Sequence, residues 1–567
     1  MREVFHTTDF CIIGGGLSGV CAAVSAARRG VRVVLMQDRP MLGGNASSEI
    51  RMWVCGANDR DHDYREAGIL EEIELENYYR NPTLNYHIWD TVIYEKVMLE
   101  ENITLLLNCT CQTCEMQGDR IKSVRGWQMT SETYHTVEAK YFADCSGDSI
   151  LAPLTGARFR AGREARDEFG ESIAPVKADS CTMGLSCMFQ IRETDRKQTF
   201  IPPEWAYSYP TDADIPDREH NIGTNYWWIE VGGDRDSIHD TDELRHELLK
   251  ISYGVWDHCK NHGHPEYDNW VLDWIGFLPG KRESRRYVGD YILTQNDVLS
   301  GGHFGDIVAY GGWTMDDHFP AGFYYRGGYP TIHHYAPVPW GIPWRSLYSV
   351  NIENLLFAGR NISCTHTAMS SSRVMGTCSI VGQAVGTGVS LLLEKGNAPR
   401  DLDVKRLQQE LMYDDCLVPY VERTVPELTL KARTNAEITR NGTDRAFGNE
   451  RNCWTGKSGD YVEYSFDGSE YVSGIRIVFD SNFHRPYHNM PSNYPLNETK
   501  YRLPETLVKK YNVEYTAADG NKTVIAVDNN RLRMARHRIG ADVVSLRVIP
   551  LETWGCGEYR IFSVDLK

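Results

Sequence analysis

What this 567-residue sequence has little of narrows its function before any motif is read. No apolar run reaches bilayer length, and no basic start leads into an apolar stretch and a cleavage site, so no membrane partner and a cytoplasmic address are expected. Basic residues are in deficit, 60 against 77 acidic. The formal net charge of −17 argues against a nucleic-acid or anionic-membrane surface and for a small-molecule ligand. Cys111 and Cys114 form a lone CxxC with no second pair and no histidine spaced for zinc, so no metal is expected. The 15 cysteines are odd in number and scattered, which reads as reduced thiols. The 41% hydrophobic and 24% charged fractions are those of a globular chain, too long for one ordinary core.

Phe10-Cys11-Ile12-Ile13 is a short apolar run that ends at three glycines and gives way to small and apolar residues from Leu17 to Arg29, which predicts strand, turn and helix. Gly30 stops the helix, and Val31 to Met36 supplies a second buried strand. A glycine turn from Leu42 to Asn45 and an acidic helical stretch from Gly68 to Tyr79 follow, and Asn102 to Met129 and Tyr141 to Ala143 alternate like strands. Residues 161–345 are rich in aromatics, histidine, glycine and proline. Asn354 to Gly359 repeats the strand-then-glycine pattern, and a helix is expected over Val374 to Lys395. Glycine costs a helix about 1 kcal/mol relative to alanine, so Gly376, Gly382, Gly386 and Gly388 imply that this helix packs unusually close to a neighbour. From about residue 430 the period becomes two, in Ile475, Ile477 and Phe479, in Tyr511, Val513 and Tyr515, and in Val544, Leu546 and Val548. Asp519-Gly520 marks a hairpin, and the pattern predicts an all-β sandwich.

Gly14-Gly15-Gly16-Leu17-Ser18-Gly19 fits G-x-G-x-x-G between a strand and a helix. In such a turn Gly14 bends the chain, Gly16 lets the backbone approach a pyrophosphate, and Gly19 lets the helix pack on the strand. The helix N-terminus then offers N–H groups and a positive dipole end to the phosphates. The second strand ordinarily ends in an acid for the ribose hydroxyls. Here it ends in Gln37, which still offers a carbonyl acceptor, followed by Asp38. Tyr141 to Asp148 looks like the strand and A-x-x-G-D turn of flavoproteins with two dinucleotide folds, with Asp144, Gly147 and Asp148 at the turn. Leu356-Phe357-Ala358-Gly359-Arg360, with a helix start running from Arg373 through Val374 to Thr377, looks like their late strand and helix, whose N–H groups face the flavin.

With Leu42-Gly43-Gly44-Asn45-Ala46-Ser47-Ser48-Glu49, Gly280 to Arg286, Gly311-Gly312-Trp313, Asp316-Asp317-His318 and the run Gly359 to Gly388, the chain resembles the FAD-dependent oxidoreductases over about residues 8 to 415. Residues 430–567 are similar to discoidin-like, galactose-binding-fold sandwiches. The resemblance implies FAD and a glutathione-reductase-like two-dinucleotide-binding fold. The expected architecture is α/β: a Rossmann-type FAD-binding domain from residues 1–160 and 346–425, an inserted α+β substrate domain over 161–345, and a C-terminal all-β sandwich over 430–567. It also places Gly43, Gly44, Asn45, Ser47, Glu49 and Arg51 near the cofactor, with Arg373 facing the flavin ring.

Oxidising an alcohol at a flavin requires a base for the hydroxyl proton, and histidine suits that role because its pKa lies near working pH. His366, between the Gly359 turn and the late helix, is the first candidate. Asp316 with His318 is the second, and the cluster His333, His334 and Tyr335 the third. Arg282, Arg285 and Arg286 with Glu283 read either as an ion-paired strand end or as guanidinium groups facing flavin or an anionic substrate, with Arg282 assigned to the cofactor. Trp205, Tyr207, Tyr209, Tyr226, Trp227, Trp228, Tyr324 and Tyr325 suit sugar rings or a core. The expected function is oxidation of a secondary alcohol of a sugar or glycoside by hydride transfer to flavin N5, with an electron acceptor that the sequence leaves unnamed. The other reading is a glycoside lyase or hydrolase that uses transient oxidation with no net redox change. Assembly into a homo-oligomer stays open.

Overall fold

The computed structural model describes residues 1–567 except 58, 60, 449, 487 and 498–500. β1 (Arg2–Ile13) runs into the glycine turn, α1 (Leu17–Arg28) follows, and β2 (Val33–Met36) returns parallel to β1 with Ile13 opposite Met36. Every residue of β2 is buried, as expected of a parallel strand covered on both faces. β3 (Ile103–Leu106) extends the sheet beyond β2. β4 (Cys109–Gln117) and β5 (Arg120–Gln128) form an antiparallel edge, and β6 (Thr133–Asp144) lies parallel to β1 on its other side, with Ile13 opposite Asp144. The late strand Leu355–Phe357 pairs parallel with the last residues of β6. The sheet therefore ends its parallel strands together at Ile13, Met36, Asp144 and Phe357, and the carboxyl edge of such a sheet is where ligands bind.

The late helix Met375–Lys395 packs on α1, and its glycines explain how. A Cβ on Gly382 would lie 2.1 Å from the Ser18 carbonyl oxygen, and one on Gly386 would lie 2.2 Å from that of Ala22. Both helices thus meet backbone to backbone at matching four-residue steps. This helix is long and apolar enough to cross a bilayer, contrary to the reading of the sequence, but 94% of its apolar window is buried inside the fold.

Cys111 lies in β4 opposite Gly126, and burial pushes its thiol well above the usual range. Cys114 is pushed up to about 11, also by burial. All the cysteines are free thiols, and this pair lacks the low pKa of a reactive one.

The described residues group into two compact units. The first comprises Met1–Ala57, Thr83–Leu407 and residues 488–500, so the expected inserted domain falls within it. That region has its own core, in which Leu185, Phe189, Tyr226, Trp228 and Tyr267 pack with Trp256 of the helix Thr241–Asn261. Tyr226 and Trp228 are therefore core residues.

The second unit comprises residues 58–82, 408–487 and 501–567. It contains the expected acidic helix, Ile69–Arg80, whose Glu71 and Glu74 pair with Arg485 in the interior. Its sheet is wholly antiparallel, and the predicted hairpin joins Val508–Ala517 to Lys522–Val527 with Gly520 at φ +84°. Val544 is half-buried, not inward as its period predicts, because the register shifts between Ser545 and Val543, the partners of Thr516 and Ala517.

Candidate active site

The glycine turn sits at the carboxyl edge of the parallel strands. Gly14, at φ +106°, packs on the Cys145 backbone, and a Cβ on Gly19 would lie 1.9 Å from the Gly14 carbonyl oxygen. These contacts match the tight-turn and close-packing roles. Gly16 differs: the nearest atom to a Cβ there is the Gly44 Cα, 3.9 Å away, and Gly16 bridges to Gly43. Gly359, at φ +111°, faces the side chains of Asn361 and Ser18, and the buried Ser18 hydroxyl has no hydrogen-bond partner. The first-turn N–H groups of α1 have no partner within the helix. Gly16, Gly44, Gly359 and Ser18 thus form a cradle of bare backbone and one unpaired hydroxyl at a helix N-terminus, which fits the pyrophosphate of a dinucleotide.

Several expected cofactor residues brace this cradle from behind. Gln37 accepts from the Gly15 N–H at 2.7 Å and donates to the Met41 carbonyl at 3.0 Å, so its amide holds the glycine turn in shape. The Asp144 carboxylate is fully buried and accepts from the Ser146 and Leu151 N–H groups and the Tyr287 hydroxyl. Asp148 pairs with Lys281 at 2.8 Å and with Arg360 at 3.0 Å, and the Arg360 guanidinium lies over Gly147. Asn45 donates to the Lys281 carbonyl, and Ser47 to that of Gly44. Glu49 is placed 3.5 Å from Arg39, and Asp38 is exposed beside the same arginine. Arg51 donates to Gln190 at 2.7 Å and stacks over Trp274. Val374 is the N-cap of the late helix, and Thr377 is buried in its first turn.

The expected catalytic residues converge on one hairpin. Met315–His318 pairs antiparallel with Thr331–His334 and packs on the short helix His366–Ser372. Alternation along the strand turns Asp316 and His318 to one side and Asp317 to the other. On the first side His318 Nδ1 lies 2.7 Å from Glu230 and Nε2 lies 3.1 Å from Asp316, which also pairs with Arg373 at 3.1 Å and His333 at 3.4 Å. On the second, His366 Nδ1 lies 2.8 Å from Glu283 and Nε2 lies 3.3 Å from Asp317. The fold therefore builds two buried carboxylate–histidine–carboxylate relays from two adjacent aspartates. His334 is half-buried opposite Met315 and joins neither.

These surroundings set the protonation states. Burial alone would lower the His366 pKa, but Glu283 and Asp317 outweigh it and push the pKa up to about 10. His318 is raised in the same way by Glu230 and Asp316 against burial. Asp316 is held well below the carboxylate range, because His318 and Arg373 overcome its desolvation. His366 thus carries a proton at neutral pH in the resting site, and the carboxylates beside His318 favour its charged form in the same direction.

The arginine cluster divides. Arg286 is fully buried and pairs with Glu283 and Glu164, donating also to the Cys364 and Gly162 carbonyls. Arg282 bonds Ser186 and the Trp227 carbonyl and lies 3.4 Å from Glu230. Both are internal to the relays, which is the ion-paired reading. Sequence reasoning missed Glu230 and Glu164. Glu230 had a legible signal: it is a lone carboxylate ending the apolar run Trp227-Trp228-Ile229. Trp227 faces His318 edge-on at 5.4 Å and Tyr329 at 5.9 Å.

The family model described as FAD dependent oxidoreductase matches residues 9–411. No curated protein matches the chain. Among solved structures, a geranylgeranyl bacteriochlorophyll reductase-like protein from Thermoplasma acidophilum is similar at 10% identity, covering 73% of this chain and 85% of that one with a TM-score of 0.32. Glycerol-3-phosphate dehydrogenase from Bacillus halodurans, solved with FAD, is similar at 13% identity over 34% of this chain and 41% of that one, with a TM-score of 0.21. The family 32 carbohydrate-binding module of Streptococcus pneumoniae EndoD is similar at 14% identity over 23% of this chain and 83% of that one, with a TM-score of 0.17.

Proposed function

The chain belongs to the FAD dependent oxidoreductase family, and from that premise we propose that it oxidises a secondary alcohol of a sugar or glycoside. The observation that carries this reading is the pair of buried relays on the hairpin, joined through Arg373 to the start of the late helix. The Gly14–Gly19 turn and the α1 N-terminus would hold the pyrophosphate, and the helix start at Val374 to Thr377 the flavin end. FAD, when bound, supplies the acceptor for a hydride.

The chain's own groups then have the following work. Both ring nitrogens of His366 and of His318 are held by carboxylates, so each ring positions its aspartate, and the charge held on His366 favours negative charge on a substrate oxygen nearby. The hydroxyl proton goes to Asp317, whose side chain is 25% exposed and is the more accessible of the two aspartates, Asp316 being 14% exposed. Asp316, Asp317, His333 and Arg373 alternate acceptors and donors as a polyhydroxylated ring requires, and Trp227 with Tyr329 offers it an apolar face. Anaerobic mixing of the FAD-loaded protein with a panel of sugars and glycosides should bleach the flavin absorbance, and a panel that leaves the band intact defeats the proposal.

The proton held on His366 also favours a second reading. A histidine held as an acid suits protonation of a departing glycosidic oxygen, as needed by a lyase or hydrolase that oxidises its substrate only transiently. Product analysis separates the readings: this route cleaves the glycoside without consuming an external electron acceptor.

A further inference from the structure

Away from the hairpin, in the irregular part of the inserted region, Asp212, His220, His258 and His264 bring one ligand atom each to within 4.8 Å of one another. Three separate segments supply them. Asp212 opens a short turn braced by Thr211 and Asp214, His220 lies in the following loop, His258 is on the helix Thr241–Asn261, and His264 is in the loop after it. The Asp212 carboxylate oxygen lies 3.3 Å from His258 Nε2, 3.3 Å from His264 Nε2 and 3.9 Å from His220 Nε2, and the Nε2 atoms of His258 and His264 are 3.1 Å apart. With metal–ligand bonds of about 2.0–2.1 Å, the donor atoms of a tetrahedral site stand about 3.3 Å apart.

The outward ring nitrogens fix which atoms carry protons. His258 Nδ1 lies 2.7 Å from the Tyr209 carbonyl oxygen and His220 Nδ1 lies 2.8 Å from that of Arg218. A carbonyl only accepts, so each Nδ1 bears the hydrogen and each neutral ring turns a lone pair inward. His264 Nδ1 faces Glu266 at 3.5 Å, the carboxylate–histidine arrangement that orients a metal ligand. Lone pairs of neutral imidazoles and a carboxylate then converge on one point, an arrangement that calls for a cation at its centre.

We propose that Asp212, His220, His258 and His264 form a structural zinc site. Imidazole and carboxylate donors suit zinc, and four protein ligands close the coordination shell, as in structural sites and unlike catalytic ones. The ion ties residues 211–220 to the helix and to the 262–267 loop, where few regular elements hold the chain. The site stands independently of the substrate reading, so either can fail alone.

The test uses the full chain with its FAD. Elemental analysis after gel filtration should find about one zinc per chain; a chelator should remove it and lower the melting temperature, and zinc alone should restore both. Cobalt in its place should give the visible absorption of a tetrahedral site, beyond the flavin bands. Since His258 is buried and its loss could unfold the region, the informative variants are Asp212→Asn and His220→Gln, each expected to weaken zinc retention by roughly tenfold or more with FAD content unchanged. Substoichiometric metal together with a melting temperature unmoved by added zinc or cobalt overturns the proposal. So does zinc that both variants retain in full, and the cluster is then only a hydrogen-bonded one.

Discussion

Substituting His366 tests the electrostatics of the site most directly. Its pKa rises from 6.5 to about 10 because Glu283 and Asp317 flank a fully buried ring. A group whose folded pKa exceeds its unfolded one lends stability that is complete below pH 6.5 and lost as the pH climbs through about 10. At about 1.4 kcal/mol per pH unit, the full contribution is roughly 5 kcal/mol, of which about 4 remains near pH 7, about 1.5 near pH 9 and under about 0.5 near pH 10. Urea unfolding of the parent and of His366→Gln, both in excess FAD, should therefore show a stability gap that narrows by roughly 2–3 kcal/mol between about pH 7 and about pH 9. Other costs of the substitution, such as two carboxylates left facing a neutral amide, are present at both pH values and cancel from that difference. A gap that stays constant or widens over this interval refutes the reasoning, since His366 would then be neutral or unpaired in the folded chain. Asp317→Asn removes one of the two partners and should move the narrowing to lower pH.

Three further outcomes follow from contacts elsewhere. Gly382→Ala gains about 1 kcal/mol of helix propensity but drives a methyl into the Ser18 carbonyl; overpacking of about 1–3 kcal/mol wins, so thermal unfolding should come earlier and a higher melting temperature would count against the close helix contact. Gln37→Ala orphans the Gly15 N–H at a cost of about 1–3 kcal/mol, whereas Gln37→Glu keeps an acceptor there; FAD retained on gel filtration should fall for the first and persist for the second, and equal retention would remove the bracing role. In the second unit, Arg476 is fully buried between Asp444 and Asp565. Arg476→Met should therefore cost about 3–5 kcal/mol, seen as early loss of β-sheet circular dichroism while FAD stays bound, and a neutral effect would show that the carboxylates find other partners.

Much of the fold was legible because its signals are local. The strand–glycine–helix opening and the late strand follow from apolar runs ending at glycine, and the glycines of the late helix announced its contact with α1. Legibility failed where spacing in sequence says nothing about spacing in space. Residues 58–82 group with the second unit across more than 300 residues, and no periodicity encodes that. The relays needed Glu230, Glu283 and Glu164 brought to histidines 83 to 202 residues away. Asp212, His220, His258 and His264 span a similar gap in kind, so a search for short metal motifs passed over them. Val544 shows the remaining failure, since a single register shift breaks an alternation that the residues obey on both sides.

The two relays are not equivalent, and the difference bears on what the site does. Around His366, three carboxylates, those of Glu283, Asp317 and Glu164, face three cations, His366, Arg286 and Arg160, the last 2.9 Å from Glu164. Around His318, two carboxylates, those of Glu230 and Asp316, face two guanidinium groups, those of Arg282 and Arg373, and raise the His318 pKa between them. Both aspartates are held below the usual carboxylate range by the cations beside them, and they differ in access: the Asp317 side chain is 25% exposed and that of Asp316 14%. A carboxylate so held is a weak proton acceptor by itself, so under the proposed oxidation Asp317 and His366 would take the proton as one coupled unit. A single histidine acting as base, which is what the sequence suggested, would need no paired carboxylates.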